Sequence, residues 1–289
     1  MLIAPGIQGY VDTPGIFTDA HQAAWARVAA AVHARGGRIF LQLWHLGRMA
    51  HSHFHGVPPR APSAVFDPGP RRQTRIMLEH EPPVPLSEPE IFGILAAYEA
   101  AALRAVAAGF DGVEIHGANG YLPEQFWRMH TNRRTDRWGG TPERRARFTV
   151  GLCRRLATAV GAERVGLRLS PAAYFSEMKY TQGDNLALDV ILARVAPLGL
   201  AYLHTGIVTD DPVDYLGGTS TEYLRARWPG VLIGNGGYTP EQAAALVGGG
   251  ACELAAFGKL FLANPDLVER LAAGRAPEPY TRAVLDSFT

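Results

Sequence analysis

Residues 87–122 read SEPEIFGILAAYEAAALRAVAAGFDGVEIHGANGYL, and the fold is decided in this stretch. Ser87 followed by Glu88-Pro89-Glu90 is a helix entry, with proline early and acids in the first turn. The spacing predicts a helix over Glu88–Ala108, then a short apolar strand over Gly112–His116 that opens directly into a polar loop. Helix, buried strand, polar loop is the repeating unit of a parallel sheet covered by helices.

The unit recurs in both directions. Strands are expected at Arg38–Trp44, Val165–Ser170, Ala201–Thr205, Val231–Gly234 and Leu254–Gly258. Helices are expected at Thr18–Arg35, Pro142–Val160, Leu186–Ala196, Thr221–Arg227, Pro240–Val247 and Pro265–Ala273. Thr141-Pro142-Glu143 and Thr239-Pro240-Glu241 repeat the entry signal of Ser87. Each strand ends in a polar or glycine-rich loop, the pattern of a (β/α)8 TIM barrel, whose site gathers at the C-terminal strand ends. A doubly wound sheet is the competitor. Its dinucleotide fingerprint fails at Gly234-Asn-Gly236-Gly237, because Thr239 stands where the third glycine belongs. Six strands are visible against the usual eight. The barrel is therefore expected to be incomplete at the N-terminus, where Met1 reads as opening inside a loop. An internal methionine recorded as the start is one account of this.

The 289 residues are 47% hydrophobic and 19% charged, with 32 Gly and 21 Pro, which excludes disorder and coiled coil. They are expected to form one domain over 1–289. A net charge of +1 gives no field to recruit nucleic acid or an anionic membrane. Two cysteines, Cys153 and Cys252, make no disulfide scaffold. Met1–Gly6 is not expected to be a signal peptide, and no apolar run approaches the ~20 residues of a span. The expectation is a soluble, cytoplasmic protein, with homo-oligomerisation left open. Gly56–Pro89 holds nine of the 21 prolines, so it reads as a loop or hairpin roofing the site rather than a linker.

The densest polar cluster is His116-Gly-Ala-Asn119-Gly-Tyr121-Leu122. His116 and Asn119 suit donation to one carbonyl oxygen, stabilising developing enolate charge, and Tyr121 offers a phenol that can protonate carbon. The alternative is a His and Asn bonded to loop backbone beside a half-buried Tyr121. Gln42 and Trp44 share one side of their strand. Gln42 needs polar partners, which a flat heteroaromatic ring or local backbone would supply, and Trp44 is a pocket wall or a core residue. Arg168, in a short apolar strand, faces an anionic ligand or pairs with a carboxylate such as Glu114. Asn235-Gly236-Gly237 and Gly258-Lys259 follow the last two strands, where barrels commonly bind phosphate, although plain glycine turns fit too. His45, His51, His53 and His55 invite a zinc reading, but no acid or thiol joins them locally, so no metal is expected.

Together these residues resemble the old yellow enzyme family of FMN-dependent ene-reductases. The matching segments are Pro14-Gly-Ile16, Gln42-Leu-Trp44, Pro62-Ser63, His116–Leu122, Asn132–Gly140 with Glu143–Arg147, Arg168–Pro171, Ala201–His204, Gly234-Asn235 and Gly258–Asp266. The resemblance implies a barrel holding FMN, reduced by NADPH or NADH, with hydride passed to an activated alkene such as an enone, maleimide or nitroalkene. It implies His116 and Asn119 on the substrate oxygen and Tyr121 as proton donor. Gln42 and Arg168 would bond the isoalloxazine edge, Asn235, Gly236, Gly258 and Lys259 would serve the phosphate end, and Trp44 would line the pocket. The chain departs from the family pattern in three places. It lacks about two initial βα elements, has lysine at 259 where arginine is usual, and ends at Phe288-Thr289 before the usual tail. From these departures comes the competing expectation, a truncated, catalytically silent ligand-binding or oligomeric paralogue. A barrel lyase or isomerase would need a base, for which Glu114 is the candidate.

Overall fold

Strict alternation of strand and helix produces a parallel sheet of six strands in the computed structural model, which describes residues 1–70, 76, 78–172, 176 and 178–284. The strands are β1 (Phe40–Leu43), β2 (Gly112–Gly117), β3 (Val165–Leu169), β4 (Tyr202–Thr205), β5 (Leu232–Gly234) and β6 (Leu254–Ala255), paired in that order. Helices α1 (Asp19–His33), α2 (Glu88–Ala107), α3 (Leu122–Trp127), α4 (Pro142–Val160), α5 (Asp184–Val195), α6 (Ser220–Arg225) and α7 (Pro240–Gly248) follow or separate them, and α8 (Lys259–Ala263) and α9 (Leu267–Ala272) come last. This is the six-stranded (β/α)8-type architecture expected. The helices α3 and α8 were not expected. Both are short, and their apolar residues merge with the polar loops that precede them.

The sheet has an apolar outer face and a polar inner one. Leu41, Leu43, Val113, Ile115, Val165, Leu167, Leu169, Leu203 and Leu232 are all buried against the helices, each contributing roughly 1.5–3 kcal/mol by leaving water. Ile91, Leu95, Tyr98, Ala102 and Ala105 form the buried stripe of α2 at helical spacing. Register partners in a parallel ladder face the same way, so two interior rows follow. Gln42, Glu114, Gly166 and Tyr202 make the lower row, and His116, Arg168 and His204 the upper. Aromatic rings fill the floor because glycines make room. A Cβ on Gly112 would stand 2.3 Å from the Phe40 ring, and one on Gly166 would stand 2.3 Å from Tyr202. Those two rings pack at 5.3 Å.

Two expectations gain detail. The opening loop is docked onto β1: Leu2 forms isolated parallel bridges to Trp44 and Gly15, and Trp44 N–H donates to the Met1 carbonyl at 2.8 Å. Residues 3–6 then bend and turn away from β1. The roof is also no simple hairpin. Arg60–Ala61 and Val84–Pro85 pair in parallel, and the antiparallel contact is the Pro70–Glu79 bridge within them. Residues 71–75 and 77 of this roof, and Phe288-Thr289, lie outside the described residues. Among the described residues no helix is long and apolar enough to cross a membrane.

The glycine argument is checkable by unfolding. Gly166→Ala should cost about 1–3 kcal/mol by overpacking against Tyr202. Gly93→Ala, with nothing within 4 Å on the exposed side of α2, should be neutral or stabilising by up to about 1 kcal/mol. Equal effects would contradict the packing account.

Candidate active site

The upper row and the loop after β2 bring three predicted side chains together. The Trp44 ring stacks on His116 at 5.9 Å, and Tyr121 meets both edge-on at 4.8 Å. Tyr121 is buried rather than half-buried, which counts against the bland reading of it. A residue missed from sequence completes the group. Tyr10 stacks on Trp44 at 5.6 Å, and its hydroxyl lies 3.1 Å from that of Tyr121. No local pattern marks Tyr10, which arrives because Leu2 docks the first segment onto β1.

The loop is built rigidly. Asn119 has a left-handed φ of 61°, and its N–H donates to Ser170 Oγ at 3.0 Å. Ser170 in turn donates to Glu124 Oε2 at 2.7 Å, which also takes the Gly120 N–H at 2.8 Å. Arg128, almost wholly buried, closes on Glu124 Oε1 at 2.9 Å and donates to the Ser170 and Pro171 carbonyls. Gln125 joins the loop to its neighbour by donating to the Leu46 and Gly120 carbonyls and accepting from Arg48 N–H. A Cβ on Gly206 would stand 2.6 Å from Ala118, so that glycine lets the β4 loop close against the site. The Asn132–Gly140 run is an anchor for the roof: Asn132 bonds the Phe126 and Trp138 carbonyls, and Arg134 bonds those of Pro62 and Leu86.

Below lies a charge network. Gln42 Nε2 donates to Glu114 Oε1 at 2.6 Å, and His204 Nδ1 donates to Glu114 Oε2 at 2.8 Å. Burial would push the Glu114 carboxyl up, but the bond and charge of His204, the Gln42 amide and the Arg168 charge outweigh it and hold it near 2. A carboxylate so engaged is a poor base, which removes the lyase reading. The Glu114–Arg168 ion pair weighed from sequence is replaced by a Glu114–His204 pair, and Gln42 bonds a side chain rather than backbone. Burial, with the nearby Arg168 charge, holds His116 well below 6.5. His116 is thus a neutral imidazole, able to donate one hydrogen bond.

Four buried nitrogens facing this interior have no hydrogen-bond partner among the described residues: Trp44 Nε1, His116 Nδ1, Arg168 Nε and His204 Nε2. Buried polar atoms left without partners are costly and rare. A flat ring with several acceptors would satisfy such a set, so the row fits the polar edge of an isoalloxazine.

The residues expected at a phosphate sit apart, at the ends of β5 and β6, which pair Gly234 with Ala255. Asn235 is half-buried and Gly236 buried. A Cβ on Gly236 would stand 2.5 Å from Asp210, so packing alone demands glycine there. Gly258 and Lys259 are exposed, and the ammonium lies 5.9 Å from the Tyr280 ring. The histidine run is not extended, because Ser52–Phe54 is a 3-10 turn capped by His51. An acid does join it from the distant roof: Glu81 accepts from Ser52 and lies 3.4 Å from His51. Among the described residues no group of three or more His, Cys, Asp or Glu could hold a metal ion.

Known proteins resemble the chain over nearly its whole length. The model of the NADH:flavin oxidoreductase / NADH oxidase family matches residues 2–278. A 12-oxophytodienoate reductase 2 of Arabidopsis thaliana is 37% identical over 284 residues, 96% of this chain and 75% of that protein. A chanoclavine-I aldehyde reductase of Penicillium roqueforti is 38% identical, over 95% and 74%. The structure of an old yellow enzyme homologue from Zymomonas mobilis superposes with a TM-score of 0.90 at 33% identity, covering 98% of this chain and 80% of that one. Morphinone reductase in complex with tetrahydroNAD gives 0.88 at 39%, over 98% and 79%.

His116 sets an acid limit. Below pH 6.5 the unfolded chain takes a proton that folded His116 refuses, so stability present above that value falls as pH drops. Between pH 7 and 5, urea unfolding should show the wild type losing up to about 2 kcal/mol more than His116→Gln. Parallel losses would contradict a buried neutral imidazole.

Proposed function

The chain belongs to the NADH:flavin oxidoreductase / NADH oxidase family, the old yellow enzymes, and we propose that the upper interior row and the loop after β2 are where it does its chemistry. It is an FMN-dependent oxidoreductase that reduces activated carbon–carbon double bonds with NAD(P)H. FMN, when bound, supplies the hydride. The observation that carries the assignment is the set of unpartnered buried nitrogens on Trp44, His116, Arg168 and His204.

In this reading Gln42 and Arg168 hold the isoalloxazine edge, the guanidinium facing the side where negative charge gathers on reduction. Asn235, Gly236, Gly258 and Lys259 hold the phosphate end, with lysine acting as a point charge rather than a fork. His116, kept neutral by burial, and Asn119 donate to the carbonyl or nitro oxygen and so stabilise the developing enolate. Trp44 walls the pocket. Tyr121 gives its phenolic proton to the α-carbon, and the Tyr10 hydroxyl at 3.1 Å orients it. The whole chain acts as one FMN-binding unit on a small activated alkene. The two cysteines, Cys153 and Cys252, are both free, which suits a reducing compartment, and we assign the cytoplasm. Exposed Phe261, Leu262 and Val268 support self-association, read out by sedimentation.

Turnover of 2-cyclohexenone with NADPH tests the assignment. Tyr121→Phe should slow the oxidation of reduced flavin by the enone about 10²–10⁴-fold while leaving flavin reduction by NADPH unchanged. An unaltered oxidative half-reaction would remove Tyr121 from its role. Absence of enone-dependent NADPH consumption by wild type would favour the silent paralogue.

A further inference from the structure

Glu114 lies one row below the assigned site and has no role in the chemistry so far. It is a buried carboxylate at the centre of the barrel interior. Donors reach it from both sides. Gln42 on β1 gives Nε2–H to one oxygen at 2.6 Å, and His204 on β4 gives Nδ1–H to the other at 2.8 Å. Tyr202, with its hydroxyl pushed up by burial and by the Glu114 charge and hydrogen bond, is a third neighbour. The strand between, β3, contributes Gly166 in the same row, whose space the Tyr202 ring fills, and Arg168 in the row above.

Two consequences follow from hydrogen-bond chemistry. A carboxylate only accepts, so it must face the amide nitrogen of Gln42 and not its oxygen. The Gln42 Oε1 and remaining N–H are then the groups presented away from it, an acceptor beside a donor. The same logic places a proton on His204 Nδ1, the ring nitrogen that meets Glu114. The second consequence is electrostatic, since the Glu114 charge partly balances Arg168.

We propose that Glu114 is a positioning residue for the flavin, orienting the Gln42 amide toward the isoalloxazine edge and offsetting the Arg168 charge beneath it. The proposal rests on the reading of Gln42 and Arg168 as flavin ligands. The imide edge of an isoalloxazine alternates a ring N–H with carbonyl oxygens. An amide of fixed orientation matches that alternation, whereas a free amide loses part of its binding to rotation. Gln at 114 keeps the shape but turns one acceptor into a donor and removes the charge.

The test is FMN affinity of the full chain, measured by flavin fluorescence for wild type, Gln42→Ala, Glu114→Gln and the double variant, with the flavin midpoint potential of each. Glu114→Gln should weaken FMN about tenfold, the loss of one well-oriented hydrogen bond. In the Gln42→Ala background it should add little, because both changes remove the same interaction. Its midpoint potential should rise, since loss of a negative charge near the ring makes electron uptake easier. Glu114→Asp keeps the charge but shortens the reach, so it should weaken FMN with the potential near wild type. It carries the test if Glu114→Gln does not fold. Additive effects of the two substitutions, or unchanged affinity and potential in both Glu114 variants, overturn the proposal and leave the Gln42 reading intact. An FMN affinity unmoved by Gln42→Ala sinks that reading and the proposal together.

Discussion

Parallel register is the constraint on which everything else in this molecule depends. Pairing Gln42 with Glu114, and His116 with Arg168 and His204, turns every second residue of four strands inward. A slip of one residue would send Leu41, Val113 and Leu167 into the interior and bury the polar set against helices. The cost of burying unpaired charge there and the gain from burying the apolar face both select the same register. The arrangement that stabilises the sheet is thus the arrangement that collects a site.

The interior then has a graded character. Rings of Phe40 and Tyr202 close the floor where glycines yield space. A carboxylate held ionised occupies the middle, and donors without partners face the upper end. Above them, Glu124, Arg128, Gln125 and Ser170 fix the backbone of the loop carrying Asn119 and Tyr121. A buried pair such as Glu124–Arg128 adds little net stability over an apolar pair, but it holds a left-handed Asn119 in place. Precision at the reacting groups is bought by polar contacts that a purely apolar core would not need.

Much of this was legible in the sequence. Period and caps located all six strands of the main sheet and seven of the helices, because alternation of covered strands with capped helices has few other solutions. His116 and Tyr121 were legible as one cluster because they flank the polar loop after β2, and Trp44 was legible as a pocket wall because it ends the strand beside it. Tyr10 was not, since it reaches the site through the Leu2 bridges, a contact separated by more than thirty residues from Trp44 and carried by a segment that reads as loop. Glu81 beside the histidine run was hidden for the same reason. Glu114 was visible only as a partner for Arg168 or a weak base, because a sequence does not say which donors will meet a carboxylate. The Asn132–Gly140 run was recognised as a family mark, and its physical meaning emerged only with the Pro62 and Leu86 carbonyls it grips.

The central claim is that these inward residues make a seat for FMN. Titrating the purified, flavin-free chain into a fixed concentration of FMN measures it directly through the flavin's fluorescence and visible absorption. The account predicts saturation at one FMN per chain, with changed fluorescence and a shifted visible band reporting a desolvated ring. Fluorescence and absorption identical to free FMN throughout the titration would contradict it.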